Sequence, residues 1–140
     1  MELKDYNKIQ NNELSEKLKK LKLIIASMKD SGMINESFDK INIALKEIIN
    51  EDIEQITTEP VESFMLHLTS NKKISTYNLD LLADLLFITG HLVEIQDNKE
   101  LTKRIFSRSL AIYQYLLKAE TDFPYERHLR IKELKEILFQ

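Results

Sequence analysis

The stretch Leu79–Ile95, LDLLADLLFITGHLVEI, constrains the fold more than any other part of the chain. Apolar residues stand at 79, 81, 82, 83, 85, 86, 87, 88, 92, 93 and 95, too many for one face of a helix. A helix built from them must be covered on most sides. The run is too long for an ordinary strand and holds no Pro, so helix is the expected state. Its Asp, Thr, Gly, His and Glu residues, and its shortness, exclude a membrane span. The remaining elements are therefore expected to pack around this one.

The flanking sequence supplies the covering helices. Leu14, Leu18, Leu21, Ile25 and Met28 are spaced 4, 3, 4, 3, an a/d seam in a first helix over about Leu3–Met28. Asp30-Ser31-Gly32 stops it, with Gly32 suited to a left-handed C-cap. A second helix, about Glu36–Ile49, carries Phe38, Ile41, Leu45 and Ile48 on one face, with Asn35 as its expected N-cap. Residues 50–62 are acidic and are expected to form a solvated connector, with one short turn burying Ile53 and Ile56. A metal or a basic partner is the sharper reading of those carboxylates, although the Asp-x-Asp-x-Asn-Gly pattern of a calcium loop is absent. Thr58-Glu59-Pro60 reads as a helix start with Thr58 as cap, and Val61, Phe64, Met65 and Leu68 follow at helical spacing. Ser75 or Thr76 is the expected cap of the long apolar helix. Asp97-Asn98-Lys99-Glu100 has the capping-box pattern, Asp first and Glu three later. It opens a helix to about Ala119. Asp122 and Pro124 start a last helix with Ile131, Leu134 and Leu138 as its seam.

Two Gly and two Pro in 140 residues leave too few turn residues for a β-rich domain, so the expected class is all-α, with five to six helices. The expected organisation is one domain: an N-terminal helical hairpin (1–50), an acidic connector with a short helix (51–76) and a three-helix unit (77–140). Right-handed superhelix and irregular bundle are both open.

At Gly90 the residues carry a family resemblance. Leu86, Gly90 and Val93 on one helix, and Thr102, Phe106 and Ser109 on the next, resemble the paired helices of a tetratricopeptide repeat. The step from Gly90 to Thr102, twelve residues, is right for that repeat. Leu86 stands where the family favours Trp, and Thr102 and Ser109 stand where it favours Ala. The stretches INIALKEIIN, LADLLFITGHL and SLAIYQYLLK are also similar to small uncharacterised bacterial proteins with tetratricopeptide-like C-terminal halves. The resemblance implies a helical interaction surface and carries no known activity. Independently of it, a Gly inside so apolar a helix costs about 1 kcal/mol relative to Ala and implies close approach of a neighbour.

The residues that carry chemistry are few. No Cys is present, which excludes disulfides and Cys-ligated metals. His67, His91 and His128 form no His-Glu-x-x-His motif, and neither a phosphate loop nor Gly-x-Ser-x-Gly occurs. No metal, cofactor or catalytic residue is expected. The net charge is −3, and residues 71–140 hold 11 basic and 10 acidic groups, so neither nucleic acid nor an anionic membrane is an expected partner. The N-terminal residues lack the apolar region of a signal peptide, which makes the cytoplasm the expected compartment.

All four Arg lie in the last third. Arg104, Arg108, Arg127 and Arg130, with Tyr115, are the candidate partner-binding residues, suited to an acidic peptide or a C-terminal carboxylate. The expected function is a non-enzymatic interaction or adaptor module presenting an inter-helix groove to a peptide or helix. One rival is a small helical-bundle enzyme or ligand-binding protein with a core pocket using Thr89, His91 or Tyr113. The other is a structural homodimer through Leu14, Leu18, Leu21, Ile25 and Met28.

Overall fold

The computed structural model describes the backbone of residues 3–139 and the side chains of residues 10–139. Within them the protein is all-α. Seven helices follow in order: α1 (Leu3–Asp30), α2 (Ile34–Ile49), α3 (Ile53–Thr58), α4 (Val61–Leu66), α5 (Thr76–Ile95), α6 (Lys99–Ala119) and α7 (Tyr125–Leu138). A π-helical turn, His67–Asn71, extends α4. The helix beyond the expected five to six is α3, the short turn of the acidic connector.

α5 lies at the centre. Eleven of its 20 residues are buried, including Leu79, Leu82, Leu85, Leu86, Leu92 and Val93. α1 and α2 pack on it from one side and α6 packs antiparallel along it, while α3, α4 and α7 rest on α6. The α1 seam faces inward: Leu18, Leu21 and Ile25 are buried and Leu14 packs beside them. These side chains are therefore covered within the chain. α2 buries Ser37, Ile41, Leu45 and Ile49, a face turned slightly from the expected stripe, so Phe38 and Ile48 sit at its margins.

At Gly90 the α5 backbone makes room for the Phe106 ring of α6. A Cβ built there would lie 2.4 Å from Phe106 Cε1 and 2.6 Å from Cδ1, far inside contact distance. Phe106 is fully buried, with Phe87 at 5.7 Å and His91 at 5.0 Å between ring centroids. Farther along, Ser109 donates to Ala83 O at 2.7 Å, so a hydroxyl at the interface finds an α5 carbonyl.

Helix ends explain several boundaries. Gly32, at φ 76°, closes α1 in a Schellman motif, with Met33 N bonding Met28 O and Gly32 N bonding Lys29 O. Asn50 does the same service for α2 at φ 63°. Ser75 caps α5 by accepting from Asn78 N. Four expected caps are corrected. Asn35 lies inside α2, which has no side-chain cap. Thr58 ends α3, its hydroxyl turned to Glu54 O, because Asp52 and Gln55 form a capping box that starts a helix earlier. Asp97 takes the left-handed conformation, φ 61°, leaving Asn98 to cap α6 through Leu101 N. α7 enters directly from Pro124, whose φ of −57° already suits a helix, and Asp122 caps nothing.

α1 is also tied to the start of α5 by polar groups. Asn78, fully buried, donates to Asn11 O at 2.7 Å and lies 2.6 Å from Ser15 Oγ, while Asn11 Oδ1 accepts from Ser75 N at 2.9 Å.

Candidate functional site

The five expected partner-binding residues do not share one surface. Arg108 is buried, 8% exposed, and points from α6 at the C-terminal end of α3. Its Nε donates to Ile56 O at 2.7 Å, and its Nη2 donates to Glu59 O at 2.7 Å and Thr57 O at 3.4 Å. These carbonyls are the groups a helix end leaves unpaired, and a guanidinium with several forked donors satisfies them together. Burial pushes the Arg108 charge below its ordinary pKa, and Glu59 and Glu62 pull it back. Arg108 is thus a fastener between elements.

Arg127 and Arg130 do meet, on a different side. They line a cleft of about 240 Å³ with Lys22, Asp80, Asp84 and Tyr113, where α1, α5, α6 and α7 converge. Arg127 binds Asp80 at 2.8 Å and Glu120 at 2.5 Å. Arg130 binds Asp84 at 2.9 Å and stacks on the Phe87 ring at 3.7 Å from its centroid. Lys22 reaches the second Asp84 oxygen. Burial works against the Arg127 charge, but Glu120 and Asp80 outweigh it and raise its pKa. Burial also raises Asp80, against Arg127. Burial and Asp84 push the Tyr113 phenol well up, so it stays protonated. Each cation here already has an internal carboxylate, and the arrangement bolts α7 to α5.

Tyr115 is 39% exposed on α6, apart from both clusters. Arg104 stands at a third place, with Glu100 one turn before it as its ion-pair partner. It lies on the edge of a groove of about 410 Å³ between α2, α3 and the first turns of α6. Phe38, Ile53, Thr57 and Leu101 give the groove an apolar lining, and Asp52, Glu54, Glu100 and Arg104 supply its charges. Asn42 and Asn98 complete it, and both act locally as caps. Asn42 Oδ1 accepts from Ile53 N at 2.8 Å, and Asn98 Oδ1 accepts from Leu101 N at 3.2 Å.

The sequence alone marks only part of this groove. Arg104 is a candidate from its residue type, but Phe38, Asn42 and the acidic connector come to it only through tertiary packing. One further signal lies in the sequence: Asp52-Ile53-Glu54-Gln55 has capping-box spacing, and so marks α3 as a helix wall rather than a solvated link.

Among the described residues no group of three or more His, Asp or Glu is placed to hold a metal ion. His67 Nε2 lies 2.6 Å from Ile49 O and 3.4 Å from Glu51 Oε1. That nitrogen must carry its proton to bond the carbonyl, so the ring ties the π-helical turn to the end of α2. Beside it, Glu59 Oε1 is buried without a hydrogen-bond partner. Burial pushes the Glu59 carboxyl above its ordinary value, the neighbouring Glu51 carboxyl adds to this, and His67 and Arg108 oppose it. The polar residues of the core-pocket alternative are dispersed. Thr89 donates to Leu85 O in its own helix at 2.7 Å, His91 packs edge-on to Phe87 and Phe106, and Tyr113 lines the charged cleft. Among the described residues no helix is long and apolar enough to cross a membrane. Compared with family models, with curated proteins and with solved structures, the chain matches none.

Proposed function

We propose that the protein is a non-enzymatic interaction module of the cytoplasm, tetratricopeptide-like in its α5–α6 pair, which offers the α2–α3–α6 groove to a peptide or helix of a protein partner. The observation that carries this reading is the groove itself, of about 410 Å³, with Phe38 and Leu101 only partly covered by the rest of the core. Concave sites with apolar walls and a few fixed polar groups are the ordinary form of a recognition site, and helix-in-groove binding uses that shape. Its walls are braced: α3 is held at its start by Asn42 and at its end by Arg108, so the groove is preformed. A photo-crosslinking side chain placed at Leu101 in the full chain, compared with one at Tyr125, tests the reading in cells. A protein adduct specific to the Leu101 position is expected. Identical adducts from both positions, or none from Leu101, would remove it. Self-association through Leu14, Leu18, Leu21, Ile25 and Met28 is less favoured, since Leu18, Leu21 and Ile25 are buried against the core.

A further inference from the structure

We infer that the occupant of the α2–α3–α6 groove is a basic amphipathic segment of a partner protein, carrying Lys or Arg beside its apolar residues; this rests on the docking role proposed above. Charge decides the class. Three carboxylates, Asp52, Glu54 and Glu100, line the groove against one guanidinium, Arg104, and Glu100 already pairs with that one. The surplus is therefore negative. Of the other cations on these walls, Arg108 is spent on the carbonyls of residues 56, 57 and 59, and Lys46 donates to Gln55 Oε1 at 3.1 Å; neither lines the groove. Lys99 and Lys103, also on α6, line a separate cleft beside Glu94 and Asp97.

The N-termini of α3 and α6 both border the groove and would by themselves favour an anion. Three of their first-turn amides are already engaged by side-chain caps. Gln55 N bonds Asp52 Oδ1 at 2.9 Å, Ile53 N bonds Asn42 Oδ1, and Leu101 N bonds Asn98 Oδ1. With those donors occupied, the rim carboxylates set the local potential, and Glu54 and Glu100 are exposed enough to meet incoming charge. The apolar floor at Phe38 and Leu101 gives such a segment something to bury, which an isolated acidic patch would not. This reverses the acidic-peptide expectation that rests on the Arg residues alone, because each of the four already has a partner within the chain.

The test uses the full chain and two labelled synthetic helical peptides, identical in their leucine face, one with lysines and one with glutamates on the polar face. Binding is followed by fluorescence anisotropy and located by amide shifts in two-dimensional NMR. The lysine peptide should bind, shift the amides of residues 38, 53 and 101, and weaken as salt is added. Glu54→Lys with Glu100→Lys, both at exposed positions, should weaken it by about tenfold and improve the glutamate peptide. Equal shifts at the groove from both peptides would overturn the basic-segment inference while leaving the docking role intact. No shift at the groove from either peptide would overturn both. Lysine-peptide shifts confined to other surfaces would overturn the inference as well, and so would a dimer mass by light scattering with the groove amides protected, which would make a second copy the occupant.

Discussion

Gly90 is the residue at which the packing leaves least freedom. Gly90→Ala gains about 1 kcal/mol of helix propensity. It also drives a methyl group to 2.4 Å from a ring that is buried on every side. Overpacking a filled core costs about 1–3 kcal/mol, and a ring edge cannot yield as a flexible chain end would. The expected net effect is a loss of up to about 2 kcal/mol, read from the urea midpoint. Adding Phe106→Leu should restore part of it, a coupling that additivity would not produce. Glu59 sets a second expectation at this scale. Its folded pKa is raised above the ordinary 4.5, chiefly by burial and then by Glu51. Its contribution to stability is therefore fully present below the ordinary value and is lost as pH rises through the raised one. Glu59→Gln, which removes the charge, should gain on wild type as pH climbs through that window. Urea melts of both proteins across that range check the sign, and a variant that loses ground to wild type as pH rises would contradict it.

At the scale of elements, α3 is too short to persist alone, since helices under about 12 residues are marginal in water. It is held by what touches it: Ile53 and Ile56 buried beneath, the Asp52–Gln55 box and Asn42 at its start, and Arg108 at its end. Arg108→Met keeps much of the side-chain volume but removes every donor to the carbonyls of residues 56, 57 and 59. A loss of about 2–4 kcal/mol is expected, because buried acceptors are left unpaired. Hydrogen exchange should show protection falling first at residues 53–66, with α5 and α6 amides changing less. α7 is attached differently, by Ile131 and Leu134 and by the Arg127 and Arg130 ion pairs to α5. The ion pairs are partly exposed, so the apolar pair carries most of that attachment.

Over the whole molecule, α1 and α5 depend on each other. The inner face of α1 covers α5, and the Asn11–Ser15–Asn78 bonds fix their register. Removing residues 1–30 would expose that side of α5 and take away the partners of the Asn78 side chain. The truncated chain should lose its cooperative thermal transition in circular dichroism, whereas the full chain should melt in one step. A cooperative, folded monomer after truncation would show that the remaining helices form a core by themselves.

What the sequence determined by itself follows from short-range physics. Apolar spacing located every long helix, the density of 79–95 marked the central one, and Gly90 announced a close neighbour because a helix tolerates Gly poorly. Gly32 and Ser75 fixed ends through local geometry. Only the tertiary structure decided which polar residues stay available. A guanidinium looks the same in sequence whether it faces water or three carbonyls, so Arg108 read as a surface group until α3 was set against α6. Arg127 and Arg130 likewise became bolts once α7 brought them to Asp80 and Asp84. The groove arises in the same way: Phe38, Asp52 and Leu101 are far apart along the chain, and only helix packing gathers them into one site.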